Sequence, residues 1–176
     1  RVYGQLDYAI LNAGVMDAVY SGAPFRYDST TRRLMPAIIT DATDEYWEGV
    51  MATNATGTFK SLRAVLDQMV EQRKGGAVVV VSSIAGMTGL AGNPAYVASK
   101  HAVNGLVRSA AIDYAPYGIR INSVNMAQTY TPMVETAYRF VEAQKKAGIG
   151  FGMGDIKTMS LMAYCDSQHR GSYAWE

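Results

Sequence analysis

The sequence is short of the groups that staple, chelate or span. Cysteine occurs once in 176 residues, at Cys165, so no internal disulfide can form and a reducing compartment is the better fit. Histidine occurs only at His101 and His169. Cys165 and His169 could share one helix face, but a structural metal centre asks for about four ligands, and no metal is expected. Charge is scarce and balanced: 18% of residues are charged, 16 basic against 15 acidic, for a formal net charge of +1. With no basic run interleaved with aromatics, an electrostatic footprint for nucleic acid is excluded. No apolar run reaches the roughly 18 residues of a membrane helix. The opening residues, RVYGQLDYAI, lack the charged-then-apolar order of a secretory signal. A cytoplasmic protein with neither nucleic acid nor membrane as partner is the expectation. What is present is a 49% hydrophobic composition, enough for one domain with a sizeable core.

The most informative stretch runs from Ala77 to Arg108, AVVVVSSIAGMTGLAGNPAYVASKHAVNGLVR. The β-branched run Ala77 to Val81 predicts a strand buried on both faces, ending at Ser82 and Ser83. The glycine-rich segment Gly86 to Pro94 predicts a loop, and Pro94 suits the first turn of a following helix. On that helix Tyr96 and Lys100 are i and i+4, so both lie on one face. A phenol titrates near 10, and an adjacent ammonium favours its ionised form, which makes Tyr96 a candidate general acid and base. Ser83, at the carboxyl end of the strand, can donate to an oxygen whose charge changes during reaction. Hydroxyl, phenol and ammonium together suggest carbonyl–alcohol interconversion. The tyrosine–lysine spacing alone is common in helices, where the ring packs and the amine is solvated.

The rest of the chain frames this stretch. Leu6 to Leu11 predicts a short buried strand leaving through a small-residue turn, Asn12-Ala13-Gly14. Val15 to Thr40 is broken by Gly22, Pro24 and Pro36 and predicts a loop or hairpin-like excursion. Asp41 or Thr43 is placed to cap a helix, with Asp44 and Glu45 in its first turn. Apolar positions Trp47, Val50, Met51, Ala55, Phe59, Leu62, Val65, Leu66 and Met69 continue that helix to about Gln72. Gly118 predicts the stop of the tyrosine-bearing helix, followed by a strand from Ile119 to Val124. Pro132 to Tyr164 is rich in methionine and aromatic residues, which suits either core filling or an adaptable apolar pocket.

Leu11-Asn12-Ala13-Gly14, Asn54 within TNATGTF, the Ser83, Tyr96 and Lys100 segment, and Thr131-Pro132-Met133 together resemble the short-chain dehydrogenase/reductase family in order and spacing. The resemblance runs from about Arg1 to Met133. It implies an α/β fold, a doubly wound, Rossmann-like parallel sheet that is apparently incomplete, because the Leu6–Leu11 strand matches the family's fourth. Residues 1–176 are then expected to be a partial dinucleotide-binding oxidoreductase domain, with 130–165 as a substrate lid. The resemblance implies NAD or NADP as cofactor, with Asn12, Ala13 and Gly14 lining its adenosine side and the Thr131 hydroxyl meeting its carboxamide. Tyr96 would transfer the proton, Ser83 hold the substrate oxygen, and Lys100 bind the ribose. Asn54 would bend its helix and hold a water linked to the lysine. The two long helices would build a subunit interface, giving a homo-oligomer, dimer or tetramer. Two departures stand out: Leu11 replaces a second asparagine, and Met126-Ala127 replaces a proline–glycine pair at the nicotinamide face. The expected activity is NAD(P)-dependent interconversion of a secondary alcohol and a ketone on a moderately apolar small molecule. The rival expectation is a non-catalytic, truncated relative acting as an oligomerisation or binding module.

Overall fold

A computed structural model describes residues 4–19, 33–34, 38–90, 92–127 and 129. The expected lid and Thr131 lie outside the described residues, as do Cys165 and His169. Strand β1 (Tyr8–Leu11) opens the described chain. A minimal antiparallel pair follows, β2 (Ala18–Val19) and β3 (Arg33–Leu34), which gives the predicted excursion its hairpin character. Helix α1 (Asp44–Met51) starts at Thr43, whose side chain accepts the Tyr46 N–H at 3.2 Å. The single helix predicted to Gln72 is in fact α1, a π-helical turn at Ala52–Thr56, and α2 (Gly57–Gln72).

The buried stripe differs in part from the one the sequence predicts. Tyr46, Val50, Leu62, Leu66 and Met69 are buried, whereas Trp47 and Phe59, expected on the apolar stripe, are 44% and 46% exposed. Arg73 closes α2 in the left-handed conformation (φ 55°), the position usually given to glycine. Gly75 follows at φ 69°, and a Cβ there would lie 2.6 Å from the Gly118 carbonyl oxygen. The turns entering β4 and β5 therefore meet backbone to backbone, fastened by the Gly76 N–H donating to Gly118 O at 3.2 Å.

Strand β4 (Gly76–Ser83) pairs in parallel with β1 on one side and with β5 (Ile119–Met126) on the other, giving the order β1-β4-β5. Helix α3 (Pro94–Tyr114) connects the last two strands. Leu62, Leu66 and Met69 of α2 and Val103, Val107 and Ala110 of α3 pack on Val78, Val80, Ile119 and Ile121. Both helices thus cover the same sheet face, and each large side chain buried there contributes roughly 1.5–3 kcal/mol. On the other face Tyr8 and Ile10 are 76% and 72% exposed. The parallel α/β sheet is as expected from the sequence. The strands all end toward one edge, with Ser83 level with Met126 and Leu11 level with Val80, the carboxyl edge where ligands settle in such sheets. Among the described residues no helix is long and apolar enough to cross a membrane, and no cluster of His, Cys, Asp or Glu could hold a metal.

Candidate active site

Three elements converge at that edge. Ser83 ends β4 in extended conformation, and its Oγ accepts the Ala85 N–H at 3.1 Å as the chain turns through Ile84–Gly86. Pro94 starts α3 without wasting an amide, and one stripe of that helix, Tyr96, Ser99, Lys100, Val103 and Asn104, is buried. The stripe holds Tyr96 toward Ser83, whose side chain favours the ionised phenol. Lys100, one turn further on, places Nζ 5.7 Å from the Tyr96 ring centroid and donates to the Val81 carbonyl at 3.2 Å. Ser83, Tyr96 and Lys100 are thus brought together as the spacing predicted.

The electrostatics differ from the expectation. Burial raises the Tyr96 phenol above its ordinary value of 10.0, and the Ser83 side chain only partly opposes it. Burial also lowers Lys100. Both shifts favour neutral forms, because removing a charge from water costs more here than the pair recovers. The predicted lowering of the tyrosine by the lysine is therefore not what the chain alone displays.

These directions fix a stability prediction. With a folded pKa below its unfolded value, Lys100 penalises folding fully at low pH, and the penalty fades as pH rises toward its ordinary 10.5. Lys100→Met should therefore stabilise the chain by about 1–2 kcal/mol near pH 7, with the gain shrinking toward pH 10. Thermal denaturation of parent and variant at the two pH values checks it; an unstabilised variant near neutrality overturns it.

Asn54 sits in the π turn, fully buried. The helix thus departs from α geometry where the resemblance put a bend. Its Oδ1 accepts the Val15 N–H at 2.8 Å, and its Nδ2 donates to Val15 O at 2.8 Å and Ser99 Oγ at 2.9 Å. The amide therefore clamps the loop that leaves β1 onto α3. In that loop Asn12 and Ala13 are exposed and Gly14 is half-buried. A Cβ on Gly14 would lie 3.3 Å from Lys100 Nζ and 3.5 Å from Asn54 Oδ1. Asn12, Ala13, Gly14, Asn54 and Lys100 thus share one corner of the sheet edge.

Two contributors escaped the sequence reading. Ser99 has no role in the sequence reading, yet its Oγ receives Asn54 and donates to the Tyr96 carbonyl at 2.7 Å. The available signal was a serine on the tyrosine's own face, three residues on, where a back-bond to the helix is common. Tyr46 is buried with Val15, Val50 and Ala95. Its phenol is pushed up to about 12 by burial, eased by the Tyr96 backbone N–H and raised further by Asp17. His101, in contrast, is exposed with its ring nitrogen 3.0 Å from the Val97 carbonyl, away from the cluster.

A family model described as short chain dehydrogenase matches residues 1–141. Among curated proteins, an uncharacterized NAD-dependent oxidoreductase of Mycobacterium tuberculosis is 39% identical over 133 residues, which are 76% of this chain and 42% of that protein. A 3beta-hydroxysteroid dehydrogenase of Mediterraneibacter gnavus is 40% identical over 133 residues, 76% of this chain and 41% of that protein. The chain spans less than half the length of either relative. Among solved structures, levodione reductase aligns with a TM-score of 0.67 at 30% identity, covering 81% of this chain and 48% of that one. NAD+-bound xylitol dehydrogenase aligns with a TM-score of 0.66 at 29% identity, covering 82% and 48%.

Proposed function

The chain belongs to the short-chain dehydrogenase/reductase family, and from that premise we propose that it carries the reactive half of an NAD- or NADP-dependent oxidoreductase. The reaction is interconversion of a secondary alcohol and a ketone on a moderately apolar small molecule. The observation that carries this reading is the convergence of Ser83, at the end of β4, with Tyr96 and Lys100 of the buried stripe of α3 at the carboxyl edge of the sheet, the Lys100 amine lying 5.7 Å from the Tyr96 ring centroid.

The residues present fit a dinucleotide. The backbone at Gly14 is bare where a Cβ would crowd Lys100, and Asn12 and Ala13 stand open at the end of β1, so a flat, polar ligand can approach the main chain closely. When bound, the nicotinamide supplies the hydride chemistry. Proton handling falls to the protein. Ser83 Oγ is oriented by the Ala85 amide, which leaves its own proton free to donate to the substrate oxygen. Tyr96 exchanges a proton with that oxygen. Lys100 offers the ribose a donor and Tyr96 a counter-charge, and Asn54 holds the β1 loop in register with both and completes the relay. Thr131 and residues 130–165 complete the reading as carboxamide contact and lid. Exposed Phe59 on α2 and Ile112 on α3 support a homo-oligomer built through these helices.

The test is a nucleotide titration of the chain, followed by turnover on a panel of secondary alcohols and ketones. The expected result is micromolar NAD(H) or NADP(H) binding with nucleotide-dependent turnover. Absence of binding at millimolar nucleotide sinks the enzymatic reading and leaves a binding module in its place.

A further inference from the structure

Asn104 lies on the buried stripe of α3, one turn beyond Lys100. Its Nδ2 donates to Gly86 O at 3.0 Å and to Asn125 Oδ1 at 2.8 Å, which spends both amide hydrogens. Asn125 in turn donates to Ser123 Oγ at 3.3 Å. One side chain therefore joins α3, the turn that follows Ser83, and the last residues of β5. The fit at the turn is close, since a Cβ on Gly86 would lie 2.6 Å from Asn104 Nδ2. Gly86 closes the same turn whose Ala85 amide is held by Ser83 Oγ. Ser83 is thus fixed by the strand on one side and by an anchored turn on the other.

Packing alone does not call for an amide here. Val103 and Val107 on the same helix face are core residues, and Asn104 Oδ1, although buried, meets no donor among the described residues. Burying Oδ1 without a donor costs stability, which the two bonds made by Nδ2 offset. What the amide adds is a defined height for the turn above α3. We propose that Asn104 is a positioning residue for Ser83, fixing through Gly86 the distance at which the Ser83 hydroxyl meets Tyr96. The inference rests on the oxidoreductase reading above for its consequence in turnover.

The experiment follows the isotope-labelled Cζ resonance of Tyr96, identified by its loss in Tyr96→Phe, alongside kcat, KM and Tm. Asn104→Leu should move that resonance in the same direction as Ser83→Ala, lower kcat about tenfold and leave KM in place, with a Tm lowered by the loss of two hydrogen bonds but a fold that persists. In a Ser83→Ala background it should change neither resonance nor kcat further, because both substitutions act through one contact. Asn104→Ser, which withdraws the amide with less bulk, carries the same expectation should the leucine variant fold poorly. A Tyr96 resonance that stays at its parent position in a folded Asn104 variant overturns the inference. If the parent turns nothing over while the resonance moves as expected, the oxidoreductase reading fails and the positioning of Ser83 stands.

Discussion

Tyr96→Phe should lower kcat by about 10³-fold, while nucleotide affinity and fold persist. The substitution removes one oxygen from a ring that is 9% exposed and leaves the packing of α3 unchanged. The lost oxygen forfeits its interaction with Ser83 but also relieves a buried hydroxyl, so stability should change by no more than about 1 kcal/mol. What disappears is the group that exchanges a proton with the substrate oxygen. Ser83 remains and can still donate to that oxygen, but an aliphatic hydroxyl is a weaker acid than a phenol and cannot deliver a proton as readily. Because burial raises Tyr96, the parent should show an alkaline limb in its rate profile that the variant lacks. Steady-state kinetics across pH, with a nucleotide titration as control, decide the matter. Turnover in Tyr96→Phe comparable to the parent removes Tyr96 from the proton-transfer role.

Local chemistry in the sequence predicted the elements that carry this reading. The run Ala77 to Val81 reads as a strand, although only one of its two faces is fully buried, Pro94 opens α3 and Gly118 ends the short turn that follows it, and Tyr96 and Lys100 fall on one face by spacing alone. These are near-neighbour effects, and the structure reproduces them. The π turn was not legible, because nothing in ATNAT violates α-helical composition; the wider turn is associated with the bonds Asn54 makes to Val15 and Ser99, residues 39 and 45 positions away. The apolar stripe read from composition also put Trp47 and Phe59 in the core and left out Tyr46, whereas Trp47 and Phe59 are about half exposed and Tyr46 is buried. The sign of the Tyr96 shift was misread for a related reason. Spacing places an ammonium near a phenol, but how deeply both are buried depends on the loop after β1 and on the turn after β4, neither of which is local to α3. Asn104 falls in the same class: i, i+4 spacing puts it on the stripe of Tyr96 and Lys100, but its bonds to Gly86 and Asn125 depend on segments 18 and 21 residues away.

Gly86→Ala should be the most disruptive single-methyl change at the site, destabilising the chain by about 3 kcal/mol and lowering kcat about 10²-fold. The added Cβ would lie 2.6 Å from Asn104 Nδ2, 2.7 Å from Lys100 O and 2.9 Å from Lys100 C. The asparagine could swing aside, but the Lys100 carbonyl belongs to the interior of a 21-residue helix and cannot yield without breaking its hydrogen bond. The turn must then lift from α3. Lifting it breaks the Asn104–Gly86 bond, loosens the Ala85 amide on Ser83 Oγ and carries the serine away from Tyr96, so activity falls further than stability alone predicts. Gly89→Ala, three residues on in the same loop with nothing within 4 Å of the added methyl, is the control. It should leave kcat unchanged and stability equal or slightly higher, since the unfolded chain loses freedom at no native cost. Chemical denaturation of the three proteins, with kcat measured where all are fully folded, separates the two effects. A Gly86→Ala chain as stable and active as Gly89→Ala would mean that the turn does not rest on α3 as described, and the geometry linking Ser83 to Tyr96 would have to be redrawn.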